Sequence, residues 1–304
     1  MAVIFTMSSG QLRSQTIYAT EFEEFDIGSD KLIGPNFWQI GNSIGTGSHG
    51  IDEDLVSGLG KSAFLGFREP SSALVTVAVS HAYDPLGAGK PIVEFESVLG
   101  VEDSSNTRRD TFSVVFLNLA GDLLASIEFR NSNNNFGLWY SNGKKITDSD
   151  IDFIRGELHL LTAQINFAEN TWSAQLDGID IIEDVVFHDD DKTLDLGFTG
   201  AQWNLSNPVT SNHGDNFLLI ADWYLHAVPQ DDFQISSFDQ NTIKFFGEPG
   251  FIYRLQTSDD LSNWADSGPA LIPDSTGTQE FQIDRTSAFE YYRVLRDFTP
   301  PLTE

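Results

Sequence analysis

The sequence predicts an all-β protein: a large two-sheet antiparallel jelly-roll sandwich, then a small C-terminal β-sandwich. Three observations predict it. Short runs alternate apolar and polar residues with period two. Gly, Asn and Asp clusters separate them. No stretch carries the 3.6-residue apolar period of an amphipathic helix. Strands in this rhythm, without helical crossovers, pair antiparallel.

Residues 98–129 organise the chain. Within them TFSVVFLNLAGDLLASIEF alternates at Phe112, Val114 and Phe116, turns at Ala120-Gly121-Asp122, and alternates again through Ile127 and Phe129. Two such strands about a Gly-Asp turn make a β-hairpin. Upstream, TEFEEFDI (20–27) reads as the first strand, and residues 28–50 as irregular loop around a buried Trp38. KSAFLGFR (61–68), ALVTVAVS (73–80) and PIVEFESV (91–98) are strands, the last two separated by the turn DPLGAGKP. Downstream, a polar tip at 131–135 leads into FGLWYS and the turn Asn142-Gly143. Residues 151–156 suggest one helical turn. GELHLLTAQINF and TWSAQL flank Ala168-Glu169-Asn170, and Asp177-Gly178 turns into the strand at 179–187. After an acidic loop, strands at 197–203 and 216–227 close the unit. Trp172 and Trp223 sit among apolar neighbours and are expected in the core with Trp38.

This divides the chain into residues 1–17, a tail or assembly strand; 18–228, the jelly roll; 229–232, the linker PQDD; 233–298, a small sandwich with Trp264 as its expected core tryptophan; and 299–304, a tail. The large unit is about twice the size of an immunoglobulin-type sandwich of about 100 residues.

Composition narrows the function. Of 304 residues, 40% are hydrophobic and 24 are Phe, too apolar for a disordered chain. The net charge of −28 makes phosphate backbones and anionic lipid surfaces poor partners. It suits solubility in a salty extracellular milieu, or divalent-cation binding. With no cysteine, thiolate nucleophiles, disulfides and Cys-based zinc sites are excluded. No apolar run approaches the ~20 residues of a membrane helix.

The stretches GVEDSSNTRRDTFSVVF, GELHLLTAQINFAENTWSAQLDG and GDNFLLIADWYLHAVP resemble the concanavalin-A-like jelly rolls of laminin-G-type and legume-lectin-type modules. GFIYRLQTSDDLSNWADSG and EYYRVL resemble the small fibronectin-like sandwiches that end many secreted bacterial proteins. These resemblances imply an extracellular or cell-surface protein that binds a glycan or builds a surface structure. They imply that the first and last strands of the large unit lie side by side. They also imply one structural calcium where those strands meet, held by Glu23 or Asp26 and by Asp222, with Asp215 nearby.

Several motifs can be weighed on their own chemistry. Glu94 and Glu96, two apart on a strand, project from one sheet face. Jelly-roll glucanases carry nucleophile and acid this way, but a third acid would fall at Val98 or Leu99, and neither is acidic. GLGKS (58–62) lacks the first glycine of a phosphate loop, having Leu55 there, and GTGSHG contains no nucleophile elbow. His188, Asp189, Asp190, Asp191 and Asp195 do not match a calcium-loop spacing, and the histidines show no zinc pairing. Sugars stack on aromatic faces and bond to amides. On that ground Asn133, Tyr140 and Trp203 are the expected recognition residues.

Three functional expectations follow. The first is a non-catalytic, lectin-like protein that recognises a carbohydrate. The second is a filament or surface-layer subunit that adds the apolar AVIFTM segment to the sheet edge of another copy. The third is a glycan hydrolase or lyase using Glu94 and Glu96.

Overall fold

The computed structural model describes residues 15–41, 48–53, 55, 60–189, 191–228, 235–238, 242–247, 251–258, 263–273, 277–283 and 291–298. They fall into two compact units, of which Ser14–Val228 is the larger. Its strands in chain order are β1 (Gln15–Thr20), β2 (Gly28–Ser29), β3 (Trp38–Ile40), β4 (His49–Asp52), β5 (Ser62–Gly66) and β6 (Leu74–Tyr83). Then come β7 (Ile92–Glu102), β8 (Thr111–Leu117), β9 (Leu123–Ser132), β10 (Asn135–Ser141), β11 (Ile146–Asp148) and β12 (His159–Asn166). The unit ends with β13 (Thr171–Leu176), β14 (Ile179–Val186), β15 (Leu196–Asn204), β16 (Phe217–Ile220) and β17 (Trp223–Val228).

A ten-stranded sheet runs β14-β13-β12-β7-β16-β5-β4-β2, with β17 also on β7 and β1 outside β17. A seven-stranded sheet runs β11-β10-β9-β8-β15-β6-β3. The named strands of both sheets pair antiparallel. The fold is an all-β, two-sheet antiparallel jelly-roll sandwich. No described helix is long and apolar enough to cross a membrane.

The expected hairpin is β8–β9, closed by Leu117 opposite Leu123, with Gly121 at φ 82° in the left-handed region that favours glycine. Its apolar residues meet those of β7 across the sandwich. Phe95 stands 5.6 Å from Phe116 and 4.8 Å from Trp223, which stands 5.7 Å from Trp38. Trp38, Trp172 and Trp223 are all buried, as expected. Side chains of this size contribute about 1.5–3 kcal/mol each on burial. The indoles of Trp38 and Trp223 donate to Tyr18 Oη and Thr199 Oγ1, both at 2.9 Å, so their polar ends are satisfied inside the core.

The first strand differs from expectation. It is Gln15–Thr20, paired with β17, and TEFEEFDI turns instead of extending. Phe22 and Phe25 are both buried, and a strand would place residues three apart on opposite faces. A tight turn, with Phe25 N–H donating to Phe22 O and Phe22 at φ 60°, brings both inward. Terminal strands do lie side by side, Thr16 opposite His226. Gln15, Thr16 and Ile17 of the expected tail thus belong to a strand within the same chain; the AVIFTM segment lies outside the described residues. Residues 151–156 form no helical turn; Phe153 is instead buried against Phe129 and Phe136.

The expected last strand is broken in two by Ala221-Asp222. One side of β7 pairs with β17 from Ile92 to Glu96 and with β16 from Leu99 to Glu102. The break leaves the Val98 N–H without a ladder carbonyl, and the Asp222 carboxylate accepts it at 2.6 Å.

The smaller unit has two three-stranded sheets. One contains β18 (Ile235–Phe238), β19 (Thr242–Gly247) and β22 (Gly277–Gln282). The other contains β20 (Phe251–Ser258), β21 (Ala265–Asp266) and β23 (Tyr291–Phe298). Its core gathers Phe245, Tyr253, Leu255 and Phe281. Trp264 is only half-buried, and Tyr253 fills the central place expected of it.

Candidate functional site

The strongest candidate site lies on the outer face of the larger sheet. β7 sends Val93, Phe95 and Ser97 into the sandwich, so the alternate residues Glu94 and Glu96 stand exposed on the other face. Register then fixes their neighbours. Glu94 is opposite Gln164 on one side and His226 on the other; Glu96 is opposite Thr162 and Tyr224. One strand further out, Gln164 faces Ser173 and Thr162 faces Gln175. Two polar rows result, His226-Glu94-Gln164-Ser173 and Tyr224-Glu96-Thr162-Gln175, and all of these but Tyr224 line an open depression of about 390 Å³.

The rows are cross-braced. Gln164 Nε2 donates to Glu94 Oε1 at 3.3 Å, Gln175 Nε2 to Asp180 Oδ1 at 2.7 Å, and Tyr224 Oη to Glu21 Oε1 at 2.6 Å. His226 Nδ1 lies 3.3 Å from Thr16 Oγ1, and its ring is 13° from parallel with that of Tyr224. The Glu21 carboxylate accepting its proton, then burial, push the Tyr224 phenol well above its ordinary pKa. The carboxyl of Asp222 is raised as well, chiefly by burial and further by Glu96 and Glu21. No Lys or Arg is among the described residues that line the depression. Such a surface offers carboxylate, amide and hydroxyl groups to a polar ligand and repels an anionic one.

Other expected site residues are placed elsewhere. Trp203 is a correction: it is fully buried, and its indole Nε1–H donates to Asp110 Oδ2 at 3.1 Å. Period two puts Trp203 inward with Ala201, leaving Asn204 outside. Tyr140 is a second correction. It is half-buried and packs edge-on against Trp172 at 6.3 Å, whereas its neighbour Trp139 takes the opposite face beneath the Arg130 guanidinium. Asn133 is exposed in the β9–β10 turn and lines a separate cavity at the loop end of the sandwich.

The four acids expected around calcium do not come together. Glu23 accepts the Lys61 N–H, Asp215 accepts Ser104 and Ser105 hydroxyls, Asp222 is bound to the Val98 N–H, and Asp26 is exposed. Among the described residues no group of three or more His, Asp or Glu side chains is gathered as a metal site. The donor set does not fit the ion at these positions.

Tyr224, His226, Thr162 and Gln164 are site residues that the sequence reading missed. Their signal is the strict alternation of WYLHAV and HLLTAQIN, which puts these four on the face opposite Trp223, Leu225, Leu161 and Ala163.

No protein-family model matches the chain, and no curated protein sequence matches it. Solved structures are similar to it. A sialidase aligns with TM-score 0.49 and 10% identity over 73% of this chain, which spans 19% of the sialidase's length. The carbohydrate esterase of the Shiga toxin-encoding bacteriophage phi24B aligns with TM-score 0.50 and 12% identity, covering 71% of this chain and 100% of its own. The CBM2 module of an evolved Dit protein from Lactobacillus casei BL23 phage J-1 aligns with TM-score 0.47 and 12% identity, covering 72% and 98%. What the phage esterase shares with this chain at that identity is the fold, a two-sheet antiparallel jelly-roll sandwich.

Proposed function

We propose that the chain is a non-catalytic carbohydrate-binding protein of the cell exterior, and that the Glu94–Glu96 face binds an uncharged glycan. One observation carries the reading: two cross-strand rows of carboxylate, amide and hydroxyl groups line a depression of about 390 Å³ without a cation among its described residues. Sugar hydroxyls both donate and accept. Carboxylates take the donated protons and the amides of Gln164 and Gln175 supply the return bonds. The His226 ring, with the Tyr224 ring near-parallel beside it, adds apolar surface for a pyranose face. The uronates and sialates of acidic glycans would meet Glu94 and Glu96 unscreened. The name of the similar phage protein, a carbohydrate esterase, agrees with a carbohydrate ligand; the choice of face and of an uncharged sugar rests on this chain's residues.

The test is isothermal titration with neutral oligosaccharides, cellotetraose, laminaritetraose and xylotetraose. Each hydrogen bond to a charged group contributes about 1.5–3 kcal/mol. Glu94→Gln is therefore expected to weaken binding of whichever ligand scores by roughly tenfold or more, and Gln164→Ala, which removes a neutral amide, by roughly two- to tenfold. Binding that neither substitution alters would sink the reading.

A second reading, hydrolysis, is favoured by Asp222, whose carboxyl is raised by burial beside Glu96. Glycoside cleavage draws on a carboxyl whose pKa is raised by its surroundings, close to a second carboxyl. Reducing-sugar release from a neutral polysaccharide, lost in Glu96→Gln and in Asp222→Asn, would establish it in place of simple binding.

A further inference from the structure

We infer that the loop end of the large sandwich is a second binding site, for a saccharide carrying a carboxylate or sulfate group. It stands apart from the Glu94–Glu96 face and does not depend on that reading. The β7–β8 loop, the β9–β10 turn and the β15–β16 loop together enclose an open cavity of about 570 Å³. Its walls are Arg108, Arg109, Asn133, Asn134, Asn207 and Asn212 among others.

The site is built. Asp110 is 1% exposed and sits beneath it, accepting the Trp203 indole N–H at 3.1 Å, the Ser206 N–H at 2.9 Å and the Gly214 N–H at 2.8 Å. One buried carboxylate thus locks the start of β8 to both ends of the β15–β16 loop. Asp215 fastens the other side through Ser104, Ser105 and the Asn106 N–H. Loops held this way lose little freedom when a ligand arrives.

The two arginines differ, and the difference selects the ligand. Arg109 is already neutralised, its Nε and Nη2 bound to Asp103 at 2.7 and 2.9 Å. Arg108 donates Nη1 to the Ser211 carbonyl at 3.1 Å and has no carboxylate partner among the described residues. In a chain with 45 acidic and 17 basic residues, an exposed guanidinium left without an acid is a charge available to an anion. Its remaining donors match a carboxylate or sulfate, and the surrounding asparagine amides match hydroxyls. The cavity is far larger than a bare anion and within the range of sites that hold small organic ligands.

The experiment is titration of the full chain with trigalacturonate, a sulfated disaccharide, a neutral trisaccharide and inorganic sulfate, repeated with Arg108→Gln and Arg108→Lys. Arg108 is exposed at the surface, and circular dichroism checks that both variants keep their fold. The expected result is that one anionic sugar binds at least tenfold tighter than the neutral one. Arg108→Gln should lose at least tenfold and Arg108→Lys less. The proposal is overturned if no anionic sugar binds, if Arg108→Gln binds as the native chain does, or if inorganic sulfate binds as tightly as the sulfated sugar.

Discussion

The histidine between the sheets makes the stability of the large unit depend on pH in a window that can be worked out. His81 lies on β6 with Nε2 2.8 Å from Thr199 Oγ1, and that oxygen also accepts the Trp223 indole N–H. A neutral ring makes this bond in either tautomer, because the threonine hydroxyl can both donate and accept. Nδ1 is buried and has no hydrogen-bond partner among the described residues. Burial pushes the His81 pKa down from 6.5 to about 3. The unfolded chain thus binds a proton near pH 6.5 that the folded chain refuses until about pH 3, so stability is whole above pH 6.5 and falls as pH drops through that interval. The linkage amounts to about 2.5 kcal/mol between pH 7 and 4.5, and about 1.5–2.5 after allowance for the partial exposure of the residue. The assay is urea unfolding of the native chain and of His81→Gln at pH 7, 5.5 and 4.5. Glutamine, with both a donor and an acceptor on its amide, can bond the same threonine and does not titrate. His49, whose pKa is lowered by burial and partly restored by Asp30, occurs in both chains and cancels. A difference between the two chains that stays constant to within about 0.5 kcal/mol across this range would refute the reasoning.

Three further outcomes are expected. Asp110→Ala leaves the Trp203, Ser206 and Gly214 N–H groups without their acceptor and should cost about 3–5 kcal/mol in urea unfolding, with Asp110→Asn recovering part of it. Gly200→Ala, on the central strand β15, would bring a Cβ within 2.2 Å of the Val77 carbonyl oxygen and 2.6 Å of Ala78 Cα, and should cost more than about 2 kcal/mol. Gly178→Ala meets nothing within 4 Å among the described residues and should cost only the roughly 1 kcal/mol of its positive φ. Asp222→Ala removes the acceptor of the Val98 N–H, and hydrogen exchange at that amide should accelerate by about tenfold.

What could be read from the sequence divides by range. Hairpins were legible because their information is local: Gly121 and Gly143 mark the turns, and the alternation of residues 112–129 fixes which side faces inward. The paired projection of Glu94 and Glu96 was legible for the same reason. Long-range partners were not. Trp203 next to Asn204 looks like a recognition surface until Asp110, 93 residues earlier, supplies a buried acceptor for its indole. Trp139 and Tyr140 compete for one strand position pair, and only the arrival of Trp172 from the other sheet decides that Tyr140 goes inward. Asp222 looks like a metal ligand in a strand, yet the bulge it patches exists only because β7 changes partners there.

The two proposed sites make opposite demands on the same electrostatic field, and ionic strength separates them. A net charge of −28 repels every anion at long range, so an acidic saccharide approaches Arg108 against the field of the whole chain. Salt screens charges beyond about 8–10 Å at 0.1–0.15 M while weakening a close guanidinium–carboxylate pair far less. The association rate of the acidic sugar should therefore rise as salt is added from 10 to 150 mM, the reverse of an arginine site on a basic protein. An uncharged oligosaccharide on the Glu94–Glu96 face feels neither effect, and its rate should stay constant. Stopped-flow measurement of both rates over that range decides the matter: an acidic sugar whose association slows with salt is responding to local positive charge alone, and Arg108 would then have to be less isolated among the acids than its surroundings make it.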